Sequence, residues 1–63
     1  MNKKQQQELK ERLEAAFNRN HRNAEWLQSN IEYWQKHAAS VNGKAAKAHA
    51  LNVIDIYNSF KAK

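Results

Sequence analysis

The chain has 63 residues and a formal net charge of +5, with no cysteine, no proline and a single glycine. The lack of cysteine excludes disulfide bonds and thiolate metal ligands. A chain this short buries only about 60% of the surface that its unfolded form exposes. No apolar run approaches a membrane span, and the first residues, MNKKQQQELK, lack the apolar segment of a signal peptide. We therefore expect one small domain in the cytoplasm, whose charge favours acidic partners.

The first predicted helix covers residues 4–17, with its first few residues frayed. Its apolar positions recur at helical spacing and form one narrow stripe: Leu9, Leu13, Ala16 and Phe17. The following segment, residues 18–23, contains three asparagines, which favour turns and helix caps over helix interiors. We therefore predict a turn there, with Asn20 or Asn23 capping the next helix. The alternative is one long helix that pairs with a second chain.

The second predicted helix covers residues 23–40 and contains both tryptophans. One apolar stripe runs along it: Leu27, Ile31, Trp34, Ala38 and Val41. Trp26, Tyr33 and His37 lie beside that stripe and widen it to roughly half the circumference of the helix. An arc this wide predicts contacts on two sides, so we expect this helix to be the centre of the fold. Asn42 and Gly43 are predicted to end it, with Gly43 in the left-handed conformation.

The third predicted helix covers residues 44–60. Its apolar arc is wider than one neighbouring helix would cover, and Leu51, Ile56 and Phe60 are therefore candidates for contact with a second copy of the chain. The predicted fold is all-α: a small antiparallel three-helix bundle in one domain, with dimerisation as an open alternative. The predicted core contains Leu9, Leu13, Phe17, Leu27, Ile31, Trp34, Ala50, Ile54 and Tyr57.

Residues suited to catalysis or metal binding are few. His21, His37 and His49 are far apart, and no two have the i, i+3 or i+4 spacing that presents two ligands from one helix. The single glycine excludes a glycine-rich phosphate loop. Apart from the two tyrosines, the only hydroxyls are those of Ser29, Ser40 and Ser59, and we expect no catalytic cleft in three helices this short. We therefore predict no enzymatic activity, no metal and no cofactor.

Two surfaces could bind a partner. Trp26, Tyr33 and His37 share one edge of the second helix, and exposed aromatic residues near arginine are typical of interface anchors. The alternative is that the aromatic rings close the core. The second surface is the basic turn around Arg19 and Arg22, which could contact phosphates while Trp26 stacks on a base. Its alternative is that Arg22 covers the Trp26 ring through a cation–π contact.

We favour protein binding as the predicted function. In this interpretation the chain is a non-enzymatic regulator, adaptor or inhibitor that docks on an acidic surface of a larger protein, and its contact residues are Arg19, Arg22, Trp26, Tyr33 and His37. The alternative is a nucleic-acid-binding module that uses the basic turn and the terminal lysines, Lys61 and Lys63. A role on a membrane surface ranks third, because the most apolar helices are the least basic.

Overall fold

The computed structural model describes residues 2–61 and contains three helices in that range, with no strand. They are α1 (Lys3–Arg19), α2 (Ala24–Ser40) and α3 (Lys44–Lys61). The predicted all-α bundle is therefore confirmed, and each helix begins and ends within two residues of its predicted bounds. Within this range, none of the helices combines the length and apolar character needed to cross a bilayer.

The helices run in the predicted up-down-up order. α2 and α3 are antiparallel, since the ring of Trp26 lies 6.1 Å from that of Tyr57 and the ring of Trp34 lies 5.9 Å from that of His49. α1 runs in the same direction as α3. Its N-terminal half reaches Asn52 through Gln6, and near its C-terminal end Phe17 stacks on Phe60 with 5.6 Å between ring centroids.

The core is centred on α3 rather than on α2. α3 contributes six buried residues, α2 contributes three, and α1 contributes Phe17 alone. The arc of α3 is wide because α2 packs on one of its sides and α1 on another. Ile56 and Phe60, which we expected to meet a second chain, are therefore buried inside this one. Leu51 differs from them, because it remains 49% exposed.

The observed core differs from the predicted core in the residues at its margin. Leu9, Leu13 and Trp34 are only partly buried and pack against the margin of the cluster. Val53, Ile56 and Phe60, which were outside the predicted core, are buried in it. The other six predicted core residues are buried as expected: Phe17, Leu27, Ile31, Ala50, Ile54 and Tyr57.

A turn separates α1 from α2, so the alternative of one long helix is wrong. The backbone N–H of Arg22 donates to the Phe17 carbonyl at 2.9 Å, and that of His21 donates to the Asn18 carbonyl at 3.0 Å. This pair of bonds is the Schellman pattern, which usually has glycine in the left-handed position. Here His21, with φ 60°, and Arg22, with φ 50°, occupy left-handed conformations. Asn23 caps α2, as predicted, by accepting hydrogen bonds from two backbone N–H groups.

The connection between α2 and α3 differs from the prediction. Gly43 does not have a positive φ, because the chain already leaves α2 at Val41 in an extended conformation with φ −77° and ψ 144°. Gly43 instead lies immediately before α3, and its carbonyl accepts the backbone N–H of Lys47 at 2.9 Å. The glycine therefore marks the start of α3 rather than the end of α2.

Two polar contacts fix the N-terminal half of α1. Asn2 and Gln5 form a reciprocal capping box, so the predicted fraying of this end is replaced by a defined cap. One turn further, the side-chain amides of Gln6 and Asn52 exchange two hydrogen bonds, at 2.9 and 2.7 Å. This amide pair joins α1 to α3 at a site that is partly shielded from water.

Candidate interaction surface

Trp26 lies between helices rather than on the outer surface. Its ring stacks on Phe17, with 5.9 Å between centroids and 22° between planes, and it meets the edge of the Tyr57 ring. The ring is partly buried. Trp26 was interpreted either as an interface anchor or as a ring that closes the core, and its position is that of a ring closing the core. Removing this side chain would therefore disturb the bundle itself.

The basic turn folds back on α1. The guanidinium carbon of Arg22 lies 4.7 Å from the centroid of Phe17, and its Nη1 donates to the Asn18 side chain at 2.6 Å. The predicted cation–π contact therefore exists, but on Phe17 and not on Trp26. Arg19 is exposed in the last turn of α1, where a positive charge complements the helix dipole.

The structure brings Arg22 close to the end of α3. A small cleft of about 220 Å³ lies between the ends of the three helices, and Arg22, Lys61, Phe17 and Phe60 are among its lining residues. Lys61 also donates to the Gln28 side chain at 2.9 Å. Lys63, the other predicted terminal lysine, lies outside the described residues. The basic turn and the end of α3 therefore form one basic end of the bundle.

Four rings form a second surface, which we name the Tyr33 patch: Tyr33, Trp34, His37 and His49. The Tyr33 ring lies 5.7 Å from Trp34 and 6.2 Å from His37. The edges of His37 and His49 both approach the Trp34 ring, with centroids 5.4 and 5.9 Å away. Tyr33 is 56% exposed and Trp34 and His37 are partly buried, so the patch has an ordered base and an accessible tyrosine.

The path of α1 explains why this patch is open. α1 meets α2 near the turn, where Phe17 stacks on Trp26. Farther from the turn, the contact of α1 is with α3 through the Gln6 and Asn52 amides. The C-terminal half of α2 therefore has α3 on one side, while its tyrosine side faces water.

The surface beside the patch is shallow. A depression of about 600 Å³ runs along α2, and every residue that lines it belongs to that helix: Ser29, Glu32, Tyr33, Lys36, His37 and Ser40. A surface of this shape suits contact with another macromolecule better than enclosure of a small ligand. Among residues 2–61, no three histidine or carboxylate side chains are grouped to hold a metal ion.

The sequence predicted half of the Tyr33 patch. Tyr33 and His37 were expected at a binding surface, and the structure places their rings together. Trp34 was assigned to the core, although its i+3 relation to His37 signals a shared edge. His49 comes from α3, and no spacing within α2 could have identified it. Family models, curated proteins and solved structures were each compared with this chain, and none of the three comparisons gave a match.

Proposed function

We propose that this protein is a non-catalytic binding module that docks on a larger protein through the Tyr33 patch, as a regulator, adaptor or inhibitor. The observation that carries the proposal is the 56% exposure of Tyr33 in a chain with little apolar surface to spare. Within residues 2–61, the other large hydrophobic side chain with comparable exposure is Leu51. Leu51 lies on α3 with similar exposure, so it serves as the comparison residue.

The arrangement of the rings supports this proposal. Trp34 and His37 contact Tyr33 and restrict its orientation, so a partner would lose little side-chain entropy on binding it. Tyrosine and tryptophan combine a large apolar area with a polar group, and they are enriched among the residues that dominate binding energy. Trp26 is removed from the predicted contact set, and Trp34 takes its place.

The charge distribution supports an acidic partner. α1 carries five basic and three acidic residues, and α3 carries three basic and one acidic. α2 carries one basic and two acidic residues. The positive charge therefore lies on the two helices that flank the patch. Such a field would draw the molecule toward an acidic surface, while the rings supply the close contact.

The test is capture of proteins from a nuclease-treated lysate on the immobilised chain and on two variants. Tyr33→Ala removes the exposed ring, and Leu51→Ala removes a side chain of similar exposure from α3. We expect a retained protein that is lost with Tyr33→Ala and kept with Leu51→Ala. Retention that is the same on all three proteins would contradict docking through the patch. Circular dichroism of both variants checks that the helices are intact.

A second function, nucleic-acid binding, is favoured by one observation: Arg22 and Lys61 share the cleft that contains the stacked rings of Phe17 and Phe60. Binding of a single-stranded oligonucleotide would be measured as a function of salt. Each lost phosphate contact should reduce the slope of log affinity against log salt concentration by about 1. Lys61→Ala should therefore reduce the slope, and Lys44→Ala, at the opposite end of α3, should not. Binding that is equally affected by both would contradict a site at the basic end.

A further inference from the structure

The residues that line the depression on α2 have a symmetric order along the helix. We call them the outer strip: Ser29, Glu32, Tyr33, Lys36, His37 and Ser40. A point between residues 34 and 35 divides the strip into halves of equal length. Serine stands at both ends, Glu32 and Tyr33 stand on one side of the point, and Lys36 and His37 stand at the same distances on the other.

We propose that the outer strip binds the outer strip of a second copy of this chain, with the two α2 helices antiparallel and a two-fold axis between residues 34 and 35. This inference goes beyond the proposed function: the outer strip shares Tyr33 and His37 with the Tyr33 patch, so a second copy and a larger protein would compete for these two residues. A two-fold dimer requires a surface that is complementary to itself. The opposite charges of Glu32 and Lys36, placed on the two sides of the centre of the strip, provide that complementarity.

The helical spacing determines which side chains would meet. Residues four apart lie on the same side of a helix, so Glu32 and Lys36 share one side of the strip. Tyr33 and His37 share the other side, where their rings are 6.2 Å apart. In the antiparallel dimer, each side meets the same side of the second copy. Glu32 then faces Lys36 of the second copy, and Tyr33 faces His37 of the second copy, each contact occurring twice.

The ends and the charge of the strip fit the same arrangement. Ser29 and Ser40 lie along its centre line. Their small side chains permit two helix axes to approach to about 8–10 Å, the usual distance between packed helices. α2 carries two acidic residues and one basic residue, whereas α1 and α3 each have an excess of basic residues. Two chains with a net charge of +5 would therefore repel each other least through α2.

The dimer should be weak. The strip extends over residues 29–40, roughly 17 Å of helix at 1.5 Å per residue. One helix face of this length buries less than the roughly 800 Å² per partner of a standard interface. We therefore expect association that depends strongly on protein concentration, and we expect the two ion pairs to decide whether it occurs.

Charge exchange at the two exposed positions tests the arrangement. Glu32→Lys places the introduced lysine against Lys36 of the second copy, and Lys36→Glu places the introduced glutamate against Glu32 of the second copy. Each variant alone should remain monomeric in sedimentation at concentrations where the wild-type chain dimerises, up to about 1 mM. An equimolar mixture of the two variants should dimerise, because every introduced charge then meets its opposite. The chain that carries both changes should also dimerise, and circular dichroism of each variant checks the fold.

Two results would overturn the inference: a wild-type chain that stays monomeric throughout, or single variants that associate as strongly as the wild type. The outcome for the proposed function is separate. If the charge variants overturn the dimer while a lysate protein is still captured through Tyr33, the dimer fails alone and the proposed function stands. If no lysate protein depends on Tyr33 either, both proposals fail.

Discussion

α2 and α1 are attached to the same helix, α3, in different ways. The α2 and α3 pair is closed from end to end by buried apolar side chains, with ring contacts at Trp26 near one end and Trp34 near the other. α1 has the same length as α2 but buries one side chain, Phe17. Its N-terminal half is held by the partly buried Leu9 and by the amide pair of Gln6 and Asn52. α1 is therefore held less firmly than α2, although the two helices have the same length.

This difference connects stability to function. Local opening should be easiest in the element with the fewest buried apolar contacts, which is α1. The same sparse coverage by α1 leaves the Tyr33 patch open on α2. The accessible surface on α2 and the weak attachment of α1 therefore have the same cause. Four experiments test this difference between the two helices.

The largest effect is expected for Phe17→Ala. Phe17 stacks on Trp26 and Phe60 and is covered by the Arg22 guanidinium, and it is the only buried side chain that α1 has among the described residues. Its removal therefore takes away the main anchor of α1. Large buried aromatic residues typically cost about 3–5 kcal/mol when replaced by alanine. Unfolding in urea should show this loss, and hydrogen exchange should show that α1 loses protection before α2 and α3.

The control for this prediction is Leu51→Ala, which shortens a side chain that is 49% exposed. Surface substitutions usually change the free energy of unfolding by less than about 0.5 kcal/mol. A loss for Phe17→Ala that is no larger than this would show that α1 is anchored elsewhere, and the comparison between the helices would fail.

The next effect concerns the amide pair. Gln6→Ala and Asn52→Ala should each destabilise the fold, and a double-mutant cycle should give a coupling energy of about 1 kcal/mol for the paired hydrogen bonds. Gln7→Ala is the matched control, because the neighbouring Gln7 is exposed and its amide bonds to Glu11 on the same helix. Coupling between Gln7 and Asn52 as large as that between Gln6 and Asn52 would contradict the pairing.

A smaller, stabilising effect is expected in the turn that holds α1 against α2. His21→Gly places glycine at a position with φ 60°, where a side chain is unfavourable. The gain should be a few tenths to about 1 kcal/mol, since glycine also raises the entropy of the unfolded chain. His49→Gly, in the interior of α3, should instead destabilise the fold by about 1 kcal/mol. Destabilisation by both variants would argue against a left-handed His21.

The last effect appears only at alkaline pH and concerns the contact between α2 and α3. Burial between α2 and α3 raises the pKa of the Tyr57 hydroxyl above its ordinary value of 10.0. The folded chain therefore holds this proton more tightly than the unfolded chain does. Its contribution to stability is complete below the unfolded pKa and is lost as the pH rises from about 10 through the folded pKa. Urea unfolding of the wild-type chain should weaken over this range.

Tyr57→Phe should remove part of that alkaline loss of stability, and Tyr33→Phe, which changes an exposed hydroxyl, serves as the matched variant. Both would be compared with the wild type at neutral pH and at pH about 11. An alkaline loss that is the same in Tyr57→Phe as in the wild type would show that the buried hydroxyl does not govern it.

The sequence predicted which residues share a face, but it did not predict which neighbour covers that face. The asparagines of residues 18–23 correctly placed the turn, and Asn23 correctly placed the start of α2. Trp34 was assigned to the core, and Trp26 either to a binding surface or to the core; the structure places both rings, partly buried, at the edge of the same wide arc. Periodicity cannot show that α1 covers that edge near Trp26 and leaves it open beyond, since that depends on the angle at which α1 crosses α3.

Three helices and their approximate bounds could be predicted because side-chain spacing and caps act within a few residues, and the short connections predicted that consecutive helices are antiparallel. Only the tertiary structure shows that α3 is the centre of the core, that Gln6 bonds to Asn52, and that His49 meets the Trp34 ring. Each of these contacts joins residues that are distant in the chain. Their positions follow from how three apolar faces fill space together, and no single face contains that information.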